Sequence, residues 1–493
     1  MNTDSKSGYP VTRRLTVLIA ALLATSASAE RVRFEISQPT TFGTSVFVLG
    51  DHPLLGGGSV VDALKLSPES YPVWFVEVDL PPGTTVAYRY LLREDAAARL
   101  GDPTNATFIS ASPLTATTGG DAPARRGGAM RYFSGVANPV LEIRDGAAYR
   151  RIPFSREADG RGPGESLWRA ALDGLPPVGG DWEFRIDLGN GSYDVAPYGP
   201  HYITTLASPW LQDGDLFDYR PAPLVSAPRV VKQSGFAGSL PTRALYIYLP
   251  RGYDEHAGRD YPVLYMHDGQ NCFQAFVGDS GFGASWRADE TATLLIRQGR
   301  LPEIVIVGVS HGGSERIPEY LPPYGDGLFQ SRAAATAAYY INEVAPHIAA
   351  NYRIRPGRDN AATMGSSMGG FFSTYLAWDF AAFARSHAAL SPAYWTGGTT
   401  GDLVYTHLGE DTPRDVRFYL DSGTAGTSGD GTVDTLRARD ALIGNGYAIG
   451  PDFLHLVSHG DAHNEGAWAG RLAPILQFLF PVQDSAEETW LLH

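Results

Sequence analysis

The sequence predicts an α/β fold in residues 227–493: a doubly wound, mostly parallel sheet, preceded by two all-β sandwich domains. Three observations support this prediction. Beyond residue 227, short apolar runs alternate with helical stretches, as in buried parallel sheets. Residues 30–111 and 129–226 hold short runs of β-branched and aromatic residues between Gly/Pro turns. Residues 361–370, AATMGSSMGG, have the sequence of a strand, a sharp turn and the start of a helix.

The first 29 residues are predicted to be an export signal. Arg13 and Arg14 precede the apolar run Leu15–Ala24, and Ala27-Ser28-Ala29 offers an A-x-A cleavage site. The run is too short to span a bilayer. We therefore expect an exported protein, periplasmic or extracellular, without membrane insertion after the signal is removed.

The charge of the chain restricts its partners. Its formal net charge is −14, and removal of residues 1–29, which carry a net +2, changes it to −16. Because such a chain repels phosphate backbones and has no Lys/Arg cluster, nucleic acid is not an expected partner. The single cysteine, Cys272, excludes an internal disulfide and is expected to be a small buried residue. The oligomeric state does not follow from the sequence.

Residues 30–111 resemble the starch-binding carbohydrate module. The matching segments, in the family's order, are Val46-Phe47-Val48-Leu49-Gly50, Leu55-Gly56, Pro72-Val73-Trp74 and Tyr88-Arg89-Tyr90. The sugar-stacking tryptophans of that family are absent, since Gly57-Gly58 and Arg99-Leu100-Gly101 stand in their places. Trp74, in the middle of a predicted strand, is expected to be a core residue.

A polar segment, residues 112–128, is predicted to link this region to a second β-domain, residues 129–226. Trp182-Glu183-Phe184-Arg185-Ile186-Asp187 resembles the N-terminal domain of enterochelin-type esterases. Four aromatic residues of this region could line a substrate cleft or seal a domain boundary: Tyr198, His201, Tyr202 and Trp210. The sequence leaves both possibilities open.

Ser367 is the candidate nucleophile. Gly365-Ser366-Ser367-Met368-Gly369 has the pattern G-x-S-x-G between a predicted strand and a predicted helix. The turn is so tight that a Cβ two residues on either side of the serine would meet neighbouring backbone. The serine hydroxyl is therefore expected to stand above the sheet.

A serine nucleophile needs a base, and in this arrangement the base follows the last core strand. His463, in Gly460-Asp461-Ala462-His463-Asn464-Glu465, has that position and is the predicted general base. Two other histidines compete with it. His455 lies within the predicted strand, and His459 stands before a glycine at its end.

The acid of the triad should follow the preceding strand, Val416–Asp421. Asp430, in a Gly-rich loop, is the favoured candidate because that loop is free to extend across to the base. Asp421 ends the strand and could cap its turn. Asp434 begins a helix and is a natural carboxylate of a first helical turn.

Two backbone N–H groups should stabilise the oxyanion. Met368, which follows the nucleophile, offers one, and the loop after the predicted strand 262–268 offers Gly269 or Gln270 for the other. Asp268 is expected to brace that loop. A metal site at His267 and Asp268 lacks a third ligand at a sensible spacing, so neither metal nor cofactor is predicted.

Residues 227–482 resemble the putative-esterase family of α/β-hydrolases, which contains enterochelin esterases and feruloyl or acetyl-xylan esterases. The matching segments are Leu264–Gln270, Arg316–Tyr320, Glu343–Ile348, Ala350–Ile354, Gly365–Gly370 and Gly460–Trp468. In the family the acid commonly lies in a G-T-x-(D/E) element, whereas Gly426 follows Gly423-Thr424-Ala425 here. Arg316 and Glu319 match a lid motif of the family, where they could form an ion pair or contact the substrate.

The resemblance implies a serine carboxylic-ester hydrolase that acts through an acyl-enzyme, and the predicted signal implies that it is exported. The expected substrate is a small-molecule or glycan ester, on a carbohydrate or a siderophore-like scaffold. Two alternatives remain: an acyltransferase with the same triad, and a carbohydrate-binding protein with an inactive hydrolase domain.

Overall fold

The structure is a computed structural model of the chain. It describes residues 30–38, 40, 44–70, 72–80, 84–94, 106–109, 114–117, 125–126, 128–145, 148–172, 175–177, 182–197, 199–324, 330–396, 402–410, 412–427, 429–447 and 452–482. The predicted export signal lies outside the described residues.

The N-terminal region folds into β-strands that form two sheets. The strands are β1 (Glu30–Ser37), β2 (Thr44–Gly50), β3 (Leu64–Lys65), β4 (Ser67–Ser70), β5 (Val73–Leu80), β6 (Thr85–Glu94), β7 (Thr107–Phe108) and β8 (Leu114–Thr117). Strands β2, β3, β6, β7 and β8 form one sheet, and β5 pairs with β1 and β4 in the other. Part of the predicted linker therefore belongs to this region, because β8 pairs antiparallel with β6.

A second β-region follows. Its strands are β9 (Arg125–Arg126), β10 (Ala129–Ser134), β11 (Val140–Asp145), β12 (Ala148–Pro153), β13 (Ser155–Asp159), β14 (Ser166–Ala171), β15 (Leu175–Pro177), β16 (Trp182–Asp187), β17 (Tyr193–Asp194), β18 (Tyr202–Thr204), β19 (Trp210–Gln212) and β20 (Asp215–Phe217). One sheet has the order β13-β14-β10-β19-β20, and another has β12-β11-β16-β17 with β18 also on β16. Met130, Leu141 and Phe184 belong to the buried cluster that the two sheets share.

The C-terminal half alternates strands with helices, as predicted. The strands are β21 (Arg229–Phe236), β22 (Arg243–Leu249), β23 (Val263–His267), β24 (Val305–Val309), β25 (Ala361–Ser366), β26 (Ser386–Leu390), β27 (Arg417–Gly423) and β28 (Phe453–Ser458). The α-helices are α1 (Ala288–Arg297), α2 (Arg316–Tyr320), α3 (Ala333–Tyr339), α4 (Ala345–Asn351), α5 (Met368–Asp379), α6 (Asp402–Glu410), α7 (Thr432–Gly444) and α8 (Glu465–Leu479). A π-helical segment, Tyr340–Val344, lies between α3 and α4.

Strands β21–β28, together with β1, β4 and β5 of the N-terminal region, form the main sheet. Its order is β1-β5-β28-β27-β26-β25-β23-β24-β22-β21, with β4 also on β5. The pairs from β24 through β23, β25, β26 and β27 to β28 run parallel. Their carboxyl ends consequently meet at one edge of the sheet, where α/β folds place their sites. None of the helices described is long and apolar enough to cross a membrane.

The N-terminal region extends the main sheet instead of standing apart from it. Strand β5 runs antiparallel to β28, with Val78 opposite Leu456, so it covers an edge that would otherwise be unpaired. Trp74 is 4% exposed and its indole N–H donates to the Gln38 carbonyl at 2.9 Å, which confirms it as a core residue. Arg300, from the segment after α1, forms an ion pair with Asp62 at 3.3 Å.

Asp51 at the end of β2 gives this region a predicted pH dependence. Burial raises the pKa of Asp51 to about 6, although its carboxylate accepts a hydrogen bond from the Ala87 N–H at 2.9 Å. Because the pKa is higher in the folded than in the unfolded state, protonation of Asp51 stabilises the fold. This stabilisation is fully present below about pH 3.9, the pKa of an unfolded aspartate, and is lost as the pH rises through 6. The Asp51→Asn variant, which cannot ionise, should therefore melt about 2 °C above the wild type at pH 7.

Thermal melts at pH 7 and pH 4.5 test this expectation. The advantage of the variant should be smaller at pH 4.5, where the native wild type already carries a protonated Asp51. An equal difference at both pH values would show that Asp51 does not titrate in this way.

Candidate active site

The nucleophile elbow has the geometry that its glycines predict. Ser367 joins β25 to α5 with φ 56° and ψ −122°, a conformation that costs a non-glycine residue about 1–3 kcal/mol. A Cβ at Gly365 would lie 2.6 Å from the Gly369 carbonyl carbon and 2.7 Å from Cδ2 of His267. Only glycine fits there, so strand and helix approach closely enough to hold the half-exposed serine at the apex.

His463 and Asp430 come together at the same edge of the sheet. His463 follows β28 and Asp430 follows β27, and Nδ1 of the imidazole lies 2.6 Å from Oδ1 of the carboxylate. The Asp430 side chain is fully buried, whereas the His463 side chain is 33% exposed. Since the ionised carboxylate accepts a hydrogen bond from the Nδ1–H group, Nε2 is the ring nitrogen that remains as an acceptor.

The surroundings of Asp430 keep it ionised. Burial by itself would raise its pKa, but hydrogen bonds from His463, Ser391 and the Gly423 N–H outweigh burial and lower the pKa below its ordinary value. Ser391 Oγ donates to Oδ2 at 2.6 Å. An ionised, hydrogen-bonded carboxylate can hold the imidazole in one tautomer and stabilise its protonated form.

The other candidate residues have different partners. Asp421 is fully buried and forms an ion pair with Arg471 of α8, with Nε 3.0 Å from Oδ2. Asp434 accepts a hydrogen bond from the Tyr405 hydroxyl at 2.7 Å. His455 is buried within β28, and the His459 ring packs 5.3 Å from that of Phe75 in the N-terminal region.

The three residues expected at the oxyanion site begin helical turns. Met368 is the first residue of α5, and Gly269 and Gln270 begin a 3₁₀ turn, Gly269–Asn271, after β23. The N–H groups at the start of a helix have no acceptor within it, so they can donate to an anion. A Cβ at Gly269 would lie 2.3 Å from the Gly308 carbonyl carbon, which explains glycine at this position.

Asp268 braces the loop, as expected, but its partner is Arg316 of α2. Arg316 Nε donates to Oδ1 at 2.8 Å and Nη2 donates to Oδ2 at 2.7 Å. Glu319 does not pair with Arg316, because its carboxylate forms an ion pair with the buried Arg243, with Oε1 3.0 Å from Nη2. The bidentate pair fixes the residue before Gly269, and the Asp268 N–H lies 3.3 Å from the Tyr320 hydroxyl.

Two family models match parts of the chain, one in the N-terminal region and one in the C-terminal half. The family described as putative esterase matches residues 241–479, and the starch binding domain matches residues 29–107. Residues 241–479 are a domain of the putative esterase family. The match agrees with the α/β-hydrolase fold and confirms the prediction of a serine esterase domain preceded by a region of the starch-binding type.

Individual relatives match parts of the chain. An alpha-amylase of Streptomyces violaceus is 39% identical over 84 residues, which is 17% of this chain and 14% of the amylase. The chain thus spans about a seventh of that relative. Among solved structures, a ferulic acid esterase aligns with 52% of this chain and 98% of its own, at 20% identity and TM-score 0.41. The enterobactin esterase of Shigella flexneri aligns with 70% of this chain and 88% of its own, at 18% identity and TM-score 0.38.

Sequence reasoning missed three residues of the esterase domain that surround the predicted triad acid and base. Ser391 follows β26 with φ 40°, and its Oγ accepts from Trp468 Nε1 at 3.0 Å and from Arg471 Nη2 at 3.1 Å. The Trp468 ring also packs edge-to-face on His463 with centroids 4.9 Å apart. The ring of Trp395, four residues after Ser391, also packs edge-to-face against the His463 imidazole. The position of Ser391 at the carboxyl end of a parallel strand was the one available indication.

The candidates from the second β-region lie elsewhere. His201 and Tyr202 line a cavity of about 380 Å³ between the N-terminal region, the second β-region and α1. None of the predicted triad or oxyanion residues contributes to its lining. Trp210 stacks on Phe133 at 5.9 Å, and Tyr198 lies outside the described residues. Within the part of the chain that is described, no group of three or more His, Cys, Asp or Glu side chains could hold a metal ion.

Replacing Gly269 with alanine is expected to lower kcat for ester hydrolysis by about 10²- to 10³-fold. The new Cβ would meet the Gly308 carbonyl, so the loop and its N–H donor must move away from the developing oxyanion. Steady-state kinetics on folded enzyme, quantified by active-site titration, would measure the change. The control is Gly278→Ala, where a Cβ would have no heavy atom within 4 Å. Equal kcat values for the two variants would count against an oxyanion role for this loop.

Proposed function

We propose that the protein is an exported serine esterase that hydrolyses carboxylic esters through an acyl-enzyme on Ser367. The observation that carries the proposal is the 2.6 Å contact between His463 and the buried, ionised Asp430, on loops that follow adjacent strands. An imidazole held by a carboxylate at the carboxyl edge of the sheet, the edge that also carries a serine on a strained elbow, is suited to nucleophilic catalysis.

In the first half of the reaction, His463 Nε2 accepts the proton of the Ser367 hydroxyl as Oγ attacks the ester carbonyl. The N–H groups of Met368 and of Gly269 or Gln270 donate to the oxygen of the tetrahedral intermediate. The intermediate collapses, the C–O bond to the alcohol breaks, and the alcohol oxygen takes the proton from His463. An acyl-serine remains.

In the second half, water attacks the acyl-serine and gives its proton to His463 Nε2. The second tetrahedral intermediate expels Ser367 Oγ, which recovers the proton, and the carboxylic acid leaves. Asp430 holds the imidazole throughout and stays ionised. Every proton is carried by residues of this chain.

The proposed substrate is an ester on a carbohydrate or a siderophore-like scaffold. Its support is the starch-binding type of residues 29–107 beside the esterase domain. Export, to the periplasm or the extracellular space, is part of the proposal and rests on the residue pattern of the first 29 residues.

The domain organisation is proposed with the function. The proposal assigns residues 30–111 to a β-sandwich of the starch-module type, 112–128 to a linker, 129–226 to a second β-sandwich and 227–493 to the esterase domain. The pairing of β8 with β6 supports an end of the first sandwich nearer residue 117. Limited proteolysis with mass spectrometry of the fragments would locate these boundaries.

The function is tested by incubating residues 30–493 with acetate, ferulate and catecholate esters, with and without free sugar. Release of the free acid in both conditions is the expected result. Acyl groups recovered on the added sugar would identify a transferase instead. The absence of turnover for every ester would overturn the proposal and leave a binding function for the β-regions.

A further inference from the structure

The cavity of about 380 Å³ lies where three parts of the chain meet, away from the proposed active site. Its walls come from β2 and β6 of the N-terminal region, from β16 and β18 of the second β-region, and from the end of α1. Sites for small organic ligands commonly have volumes of about 300–1,000 Å³ and often lie between domains. The cavity has the size and the position of a ligand site, and the proposed esterase reaction does not use it.

Most of the lining is apolar or aromatic. Trp182 is buried, and its indole N–H already donates to the Leu206 carbonyl at 2.9 Å. Tyr202 is buried as well, and its hydroxyl donates to Asp194 at 2.6 Å. These two rings therefore offer carbon atoms to a ligand. Further apolar surface comes from Leu49, Val60, Phe108 and Ile203. A ligand that fits such walls is largely apolar.

Three arginines line the cavity, and two of them have acidic partners. Arg144 donates to both carboxylate oxygens of Glu183, at 2.8 and 2.9 Å. Arg297 forms an ion pair with Asp215. The other acid of the lining, Asp51, accepts a backbone N–H at 2.9 Å and forms no ion pair with a described residue. The charges of two arginines are thus compensated within the protein.

Arg89, on β6, is the third arginine, and it forms no ion pair with any described residue. Its Cζ lies 5.3 Å from the centroid of the Phe108 ring. Burial and the positive charge of Arg144 lower the pKa of Arg89, whereas Glu183 raises it. Asp51 is not among the charges that act on it. Because a guanidinium stays protonated at neutral pH, one uncompensated positive charge remains beside the apolar cavity.

We propose that this cavity is a second binding site, and that its ligand is a small organic carboxylate with an apolar body. The Arg89 guanidinium holds the carboxylate through charge-assisted hydrogen bonds, and the body lies against the rings of Trp182 and Tyr202. Inorganic phosphate fits poorly, because apolar walls give nothing in return for its lost hydration. A neutral sugar fits poorly as well, because its hydroxyls would be buried against carbon.

The test is calorimetric titration of the full chain with 3-phenylpropionate and with its amide, which has the same shape and no charge. The wild type should bind the acid about tenfold more tightly than the amide. Arg89→Met should lose this preference by weakening the acid alone, and Arg89→Lys, which keeps the charge without the planar fork, should lose less. The control is Arg169→Met, which removes an exposed guanidinium from β14 and should bind as the wild type does.

Several results would overturn the assignment. Equal affinity of the wild type for acid and amide, or no binding of either, would remove the carboxylate site. Acid binding that Arg89→Met leaves unchanged would place the ligand elsewhere, for instance at the proposed active site. Displacement of the acid by maltose would assign the cavity to a glucan, and equal competition by phosphate would reduce it to a bare anion site. If Arg89→Met does not fold, Arg89→Lys and the acid–amide comparison decide. None of these measurements needs ester turnover, so their failure would leave the esterase proposal intact.

Discussion

Replacing Ser367 with alanine is expected to lower kcat for ester hydrolysis by about a millionfold, or to the detection limit. The variant loses the hydroxyl oxygen that forms the proposed acyl-enzyme, so what remains is the weak effect of binding and of the predicted oxyanion donors. The fold should persist, because alanine tolerates φ 56° about as poorly as serine does and fits the same space. Stopped-flow and steady-state kinetics with 4-nitrophenyl acetate would measure both the burst and the turnover.

Ser373→Ala is the matched control. Ser373 lies on α5, six residues beyond the nucleophile, and its buried hydroxyl has no hydrogen-bond partner among the described atoms. This variant should retain the activity and the melting temperature of the wild type. Equal turnover by Ser367→Ala and the wild type would remove Ser367 from the mechanism, and with it the proposed acyl-enzyme.

Asp430→Asn is expected to lower kcat by about 10⁴-fold with a much smaller change in KM. The amide oxygen replaces one carboxylate oxygen, but the amide NH₂ replaces the other and then faces a group that now donates to it: His463 at Oδ1, or Ser391 and the Gly423 N–H at Oδ2. His463 loses the partner that fixes its Nδ1–H tautomer and stabilises its protonated form. Kinetics on several esters would show whether the loss is common to all, as a defect in the triad requires.

Asp421→Asn distinguishes the triad acid from a structural acid. Replacement of the Asp421 carboxylate leaves Asp461 as the remaining acidic partner of the buried Arg471. We therefore expect the free energy of unfolding to fall by about 3 kcal/mol. Activity per folded molecule should fall far less than in Asp430→Asn. The opposite pattern, with Asp421→Asn inactive and Asp430→Asn active, would transfer the acid role to Asp421. Denaturant melts and active-site titration would separate the two effects.

Much of the esterase domain could be predicted because the deciding features are local. An apolar run that ends in G-x-S-x-G specifies a tight turn through steric limits on a few neighbouring residues. The start of α8 is equally local, since Asn464 at its N-cap accepts from the Ala467 N–H at 3.0 Å. The predicted roles of Ser367, Asp430 and His463 followed from the order serine, acid, histidine along the chain.

Other features depend on contacts between distant segments. The N-terminal region appears separate in the sequence, yet β5 pairs with β28, more than 350 residues later, and both contribute to one buried core. Trp395 has no motif of its own. Its proximity to His463 arises because the loops after β26 and β28 end at the same edge of the sheet.

The sequence by itself determined the elbow at Ser367, the alternation of strands and helices, and the small set of acids and histidines from which a triad can form. Only the tertiary structure showed which of these acids contacts the predicted base. Asp421 and Asp430 both follow β27, but Arg471 of α8 holds the first and His463 meets the second. A local pattern specifies the backbone because its steric limits act between neighbours. A side chain's partner depends on which distant segments pack against it, and that is settled when the chain folds.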